Sequence, residues 1–260
     1  MTEPVTEPAD EPVPPPSTFA ERHAVLALKY GGREDPPDPA DVLAMPLVLH
    51  ISKADPPMRS ELLAAAAIAT VRICLDERAG PGGEWDEQFR AWTSARIRKV
   101  ARRARGAQWE AALAVDGVTA EVGAAQARAF VPGRVGDLDS RIKKLQIVGT
   151  DLEHDDPGPP RPAVPVLWID RSLDMTVGKA AAQVAHASML LAAAMSVEQA
   201  RAWAEQGFEC SVRDADPEQW ASARALVDGN GDGEGAVAVR DAGFTEVAPG
   251  SMTVIALASP

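Results

Sequence analysis

The chain has 260 residues, 46% of them apolar, with 22 Pro and 20 Gly, which is enough for two compact domains of about 100 residues each plus flexible segments. Its net charge of −12 is segregated: residues 45–150 carry 16 cations against 12 acids, residues 163–260 carry 6 against 13, and residues 1–44 carry 3 against 9. A basic first half beside an acidic second half leaves room for a phosphate-rich ligand. No apolar run approaches the ~18 residues of a membrane span. The Pro-rich, acidic start MTEPVTEPADEPVPPPS has no signal-peptide core, and Cys74 and Cys210 stand alone. These features argue against a membrane protein, a disulfide scaffold and a metal site, so a cytoplasmic protein is expected.

In chain order, residues 1–44 read as a disordered tail with one short helix between Phe19 and Tyr30. A first domain spans residues 45–150. It opens with an apolar strand, Pro46 to Ser52, and continues with a helix from Met58 to Leu75. Gly80 to Gly83 interrupts the pattern, and Trp85 to Trp92 resumes it as a helix. Then come the basic run Ala95 to Gly106, a helix from Trp109 to Val115, extended segments at Val118 to Val122 and Arg128 to Val131, and a helix from Asp137 to Leu145. Residues 151–162, DLEHDDPGPPRP, read as a linker.

The domain at 163–260 repeats that order. A strand at Val164 to Ile169 precedes a long helix, Val177 to Met195. Helices at Ser196 to Gln206 and Pro217 to Val227 alternate with strands at Glu209 to Arg213, Ala236 to Val239 and Thr253 to Leu257. Trp92 and Trp203 are separated by 111 residues, as are Trp109 and Trp220. A diverged tandem duplication accounts for this, with a Gly-rich insertion near residues 79–84 of the first copy. The expected fold class is α/β, three-layer α/β/α with a small mixed sheet, in two related domains.

Within the long helix, Ala181, Val184, Ala185 and Met189 fall on one face, and Lys179, Gln183 and His186 fall on another at i, i+4 and i+7. The trio begins at the helix start, where free N–H groups favour an anion or a developing oxyanion. Gly178 and Lys179 do not make a Walker loop, because Leu173 and Ala180 occupy positions that need Gly and Ser or Thr. DGNGDGEG, from Asp228, does not complete a calcium loop, because Val239 stands where a bidentate acid is required.

Two separated signatures, GKAAAQVAHA from Gly178 and DAGFTEVAPGSMT from Asp241, occur in this order. Together they resemble the archaeal and eukaryotic (type II) peptidyl-tRNA hydrolase family over residues 163–260. The resemblance implies hydrolysis of the ester joining a peptide to the 3′ ribose of tRNA, without metal or cofactor, on a mixed four-stranded sheet between helices. It assigns catalysis to Lys179, Asp241, Thr245 and Thr253 and substrate binding to Gln183, beside which His186 and Gly178 are further candidates for substrate binding. Asp241 would accept or position the proton of a water, Lys179 would face the oxyanion, and the two threonines would orient the water or the ribose hydroxyl. An ammonium beside a carboxylate favours its ionised form. On residue type alone, His186 reads better as a helix-face histidine that packs or bonds a neighbouring strand than as a catalytic group, and Thr253 reads equally as an ordinary strand residue. The sequence departs from the family at Phe244, where a polar residue is common, and at Glu246, where Gln is common. It also stops at Pro260, before the usual final helix.

The first copy has no counterpart of the Lys and Gln pair or of DAG, so it reads as catalytically empty. Its run Arg96, Arg98, Lys99, Arg102, Arg103 and Arg105 places six cations in ten residues. Such a run is either a solvated face or a tRNA-backbone grip, with Arg141, Lys143 and Lys144 as helpers. The partners expected are tRNA, with the two copies joined as an intramolecular pseudo-dimer. The competing reading is a non-catalytic RNA-binding or regulatory module on the same fold.

Overall fold

The computed structural model describes residues 17–28, 34–230, 235–241 and 246–258. In the first half, Met45, Leu47 and Leu49 alternate into the core from strand β1 (Leu43–His50) and Val48 faces the other way, so the strand is covered on both sides. Helix α2 (Arg59–Cys74) covers one face, and the short helices α4 (Ala107–Leu113) and α5 (Ser140–Lys143) lie under the other. The sheet runs β2-β1-β4-β3, with β2 (Lys99–Ala104) parallel to β1, and β4 (Ala125–Phe130) antiparallel to both β1 and β3 (Gly117–Val122). A two-residue strand β5 (Gly133–Arg134) pairs with the start of β1.

The second half has the same connectivity. Its sheet runs β7-β6-β9-β8, where β6 (Val166–Asp170) is parallel to β7 (Ser211–Ala215) and antiparallel to β9 (Met252–Leu257), and β9 is antiparallel to β8 (Ala236–Arg240). Helix α6 (Val177–Ala194) covers one face, and α8 (Pro217–Asn230) covers the other. The structure is therefore a pair of tandem α/β units, each a sheet between helices. The tryptophan correspondence has a structural basis. Trp92 on α3 (Asp86–Ser94) donates its indole N–H to the carbonyl of Arg98 at 3.2 Å, and Trp203 on α7 (Val197–Glu205) donates to that of Glu209 at 2.8 Å. Between α2 and α3 lies the segment 75–85, whereas only Met195 and Ser196 separate α6 from α7. It holds a 3₁₀ turn at Glu77–Ala79 and the glycines that follow.

Helices α2 and α6 pack on one another between the two sheets. Alanine dominates both, so the backbones approach closely, and the Ser188 hydroxyl donates to the Ala67 carbonyl at 2.9 Å across the contact. Further polar ties join the halves. Buried Arg59 donates to Asp214 at 3.3 Å and to the Met175 carbonyl at 3.1 Å, and Arg72 donates to the Gly207 carbonyl at 2.8 Å. Helix α1 (Phe19–Leu26), closed by a Thr18–Glu21 capping box, docks on the second half through a bond from His23 to the Ala192 carbonyl at 2.9 Å. Segments upstream of residue 45 thus join the core. No described helix is long and apolar enough to cross a membrane.

Two segments differ from expectation. The helix expected over Asp137 to Leu145 is a single turn, because Asp139 caps it and the chain then turns away to pair Gln146 with Arg103. Residues 151–162 lack regular structure but are anchored. His154 bonds Asp214 at 2.6 Å, and the Asp155 carboxylate accepts the Ser60 N–H at 2.9 Å at the start of α2, whose N-cap Met58 offers no oxygen. A carboxylate there meets the positive end of the helix dipole.

Ser188 is fully buried in the α2–α6 contact. Ser188→Leu should overfill it and lower unfolding free energy by about 1–3 kcal/mol in urea titration; an unchanged midpoint would contradict this packing.

Candidate active site

The start of α6 is built to hold polar side chains in place. Thr176 caps it, accepting the Lys179 N–H at 3.3 Å, and the Glu246 carboxylate in turn accepts the Thr176 N–H at 3.0 Å and hydroxyl at 2.8 Å. Glu246, a departure from the family pattern, therefore ties the loop after β8 to the helix. The Gly178 N–H donates to the buried Thr150 hydroxyl at 3.0 Å. A Cβ at Gly178 would lie 2.9 Å from that oxygen, so glycine permits the approach.

Lys179 and Asp241 meet. The Lys179 ammonium bonds Asp241 Oδ1, and the two side chains are 11% and 8% exposed, so the pair is largely withdrawn from water. The Gln183 amide N–H donates to the same oxygen at 2.9 Å, and the Thr253 hydroxyl donates to Gln183 Oε1 at 2.7 Å. The hydroxyl fixes which way the amide points, and the amide and ammonium together fix the carboxylate. Backbone bonds pinch the loop at its base, with Asp241 N–H to the Ser251 carbonyl at 2.9 Å and Gly250 N–H to the Asp241 carbonyl at 2.7 Å.

A β-bulge places Thr253. Val239 pairs with Val254 but Arg240 pairs with Met252, leaving Thr253 as the extra residue. Met252 and Ile255 pack beside α8 while Val254 packs in the core with α6, which shows the alternation switching at this point. Thr253 is fully buried, and its hydroxyl is turned to Gln183. In the first half the corresponding strands run in regular register to Val122 and Ala125, joined by Gly123 and Ala124 alone. That hairpin is too short for a loop bearing a carboxylate. Thr245, with Gly243 and Phe244, lies outside the described residues.

A cavity of about 480 Å³ opens on this cluster and is walled by both halves of the chain. Lys179, Gln183, His186 and Asp241 line one side, and Arg96, Ile97, Arg98, Lys99 and Val100 line the other. Arg98 pairs with Asp35 at 2.6 Å, and Arg96 reaches the same carboxylate at 3.4 Å. Lys99 bonds His186 Nδ1 at 2.8 Å and lies 5.0 Å from the Trp92 ring centroid. His186 thus bonds a neighbouring strand while also bordering the cavity. Burial, reinforced by the adjacent Lys99 charge, holds its imidazole neutral well below the ordinary histidine range.

The rest of the basic run divides. Arg102 turns inward and donates to the carbonyls of Lys143 at 3.1 Å and Leu145 at 2.9 Å, so it braces α5 and is not placed to meet a ligand in this cavity. Arg103 and Arg105 line a separate cleft. Of the helpers, Arg141 pairs with Asp139, and Lys143 donates to the Gly136 carbonyl. Lys99, two residues after Ile97, lies on the side of the strand turned to Trp92 and His186.

An amine–carboxylate pair largely withdrawn from water and held by an amide and a hydroxyl thus stands at the mouth of a cavity in an α/β fold. The family model of peptidyl-tRNA hydrolase PTH2 matches residues 163–259, the C-terminal domain. Comparison with curated proteins returned no match.

Burial pushes the Lys99 amine down to about 7, far below the usual ~10.4 of a free lysine. Between these values an unfolded-state lysine binds more protons than Lys99 does in the fold, so the contribution of Lys99 to stability rises as pH increases from 7 to 10. The slope for one proton is at most about 1.4 kcal/mol per pH unit. Lys99→Met should flatten this rise in denaturant titrations at several pH values; equal slopes in both proteins would contradict it.

Proposed function

We propose that the protein hydrolyses the ester between a peptide and the 3′ ribose of tRNA, with Asp241 and Lys179 as its catalytic residues. The single observation that carries this reading is the Lys179–Asp241–Gln183–Thr253 chain opening on a two-walled cavity, within a domain of the peptidyl-tRNA hydrolase family. Water supplies the nucleophile. Its oxygen bonds to the acyl carbon while Asp241 takes or directs its proton. The bond from acyl carbon to ribose oxygen then breaks, and a proton ends on that oxygen. Lys179 offsets the negative charge that develops on the carbonyl oxygen, in a site where water screens little. Gln183 and Thr253 are positioning residues that keep the carboxylate in one orientation. Thr245 is proposed as a further participant on the loop between Asp241 and Glu246.

The opposite wall suits an RNA terminus. Arg96, Arg98 and Lys99 bring positive charge to a cavity whose described acids are Asp241 and Glu246. The first half, with its closed hairpin at Gly123, supplies this wall as a non-catalytic copy, and the two copies act as an intramolecular pseudo-dimer.

Asp241→Asn and Lys179→Ala should each lower kcat for release of labelled N-acetylaminoacyl groups from tRNA by about 10²–10⁴-fold. Thermal unfolding would check that both variants fold. Release at the wild-type rate by either folded variant would refute the site and leave an RNA-binding module. Arg98→Ala should act mainly on KM, since Arg98 faces the RNA side of the cavity; a loss confined to kcat would place it in the chemistry instead.

A further inference from the structure

The six cations between residues 96 and 105 are not equivalent once their partners are counted. Arg96 and Arg98 share Asp35, Lys99 is bonded to His186, and Arg102 is bonded to two carbonyls. What is left is Arg103, Arg105 and, from beyond α5, Lys144, and these three converge on a second cleft of about 220 Å³. Among the described residues no carboxylate lines that cleft, and its other polar side chains are Gln108 and Gln146. One guanidinium nitrogen of Arg103 meets the Gln146 side-chain oxygen, while its Nε is buried with no hydrogen-bond partner. Arg102 Nε is also unmatched, but Arg102 does not line the cleft.

A cleft lined, among the described residues, by three cations and no acid suits an anion that brings its own oxygens. The cleft is large enough for a tetrahedral oxyanion. Its place in the fold limits the source. Arg103 follows Ala101, which lines the catalytic cavity, by two residues along β2, a separation of about 7 Å at strand rise. Gln146 borders the cleft while the adjacent Ile147 borders the cavity, so the two sites flank one ridge.

We propose that the Arg103–Arg105–Lys144 cleft binds a backbone phosphate of the single-stranded RNA end whose terminal ribose sits in the catalytic cavity. This rests on the hydrolase reading for the identity of the RNA, but the cleft binds phosphate through its own residues. Arg103, Arg105 and Lys144 together neutralise the phosphate charge. The first half thereby fixes the path by which the RNA enters.

The test is binding of a labelled single-stranded RNA oligonucleotide to the full chain across a salt series, with wild type, Lys144→Gln, Arg103→Gln/Lys144→Gln and the control Arg224→Gln on the exposed face of α8. Loss of one phosphate contact should lower the slope of log Kd against log salt by about 0.7. Lys144→Gln and the double variant should show the drop and Arg224→Gln should not. Lys144→Gln changes an exposed residue, so it keeps the test valid if the double variant fails to fold. Wild-type slopes in both cleft variants would overturn the proposal. Titration with inorganic phosphate separates the sources: phosphate binding lost in the variants, with RNA slopes unchanged, would also overturn it. Wild type that shows the Arg103-dependent slope but releases no acyl group from tRNA would remove the hydrolase reading and keep the phosphate site. Active wild type with unaltered slopes in the variants would do the reverse.

Discussion

The contact between α2 and α6 is the constraint on which the site depends. Each helix covers its own sheet on one face and the other helix on the next, so each must be small-residued on more than one side. The alanines of α2 and α6 meet that requirement, and the Ser188 bond to the Ala67 carbonyl fixes their register. Once the helices are locked, the remaining face of α6, bearing Lys179, Gln183 and His186, is directed at β2 of the first half. The cavity is therefore a consequence of joining two units: a single unit would leave that face of α6 without an opposite wall.

Electrostatics then divides the cavity. Near Asp241 the charges are paired and withdrawn from water, and a hydrogen-bond chain sets their orientation. Such a pair is costly to bury and contributes little net stability, which is consistent with selection for position rather than for folding energy. Along the opposite wall the arginines are tied to Asp35, a surface acid that an RNA phosphate would have to match. Lys99 lies between these regimes, its charge weakened by burial and its amine shared with His186.

Much of this was legible in the sequence because it is carried by local periodicity. The helical spacing of Lys179, Gln183 and His186 put them on one face, and the repeated tryptophan interval anticipated two units of the same connectivity. The pairing of Lys179 with Asp241 followed from two motifs whose partnership is a property of the family rather than of spacing. What escaped depends on tertiary detail. A bulge turns Thr253 inward and makes it a support for Gln183, and strand alternation alone cannot show a bulge. The basic run looked uniform, yet Arg102 is consumed by the carbonyls after α5, a partner set by a chain turn some forty residues later. The expected helix at Asp137 to Leu145 failed for a related reason, since pairing of Gln146 with Arg103 outweighs helix propensity there.

The account turns on the claim that the reacting ester lies between the two halves, against Asp241 and Lys179. Its most direct test is the crystal structure of the full chain with an N-acylaminoacyl-adenosine whose ester oxygen is replaced by NH. The account places the amide carbon beside the Asp241 carboxylate, its carbonyl oxygen at the Lys179 amine, and the adenosine against residues 96–101. An analogue bound with its amide remote from Asp241, or lodged outside this cavity, would contradict it.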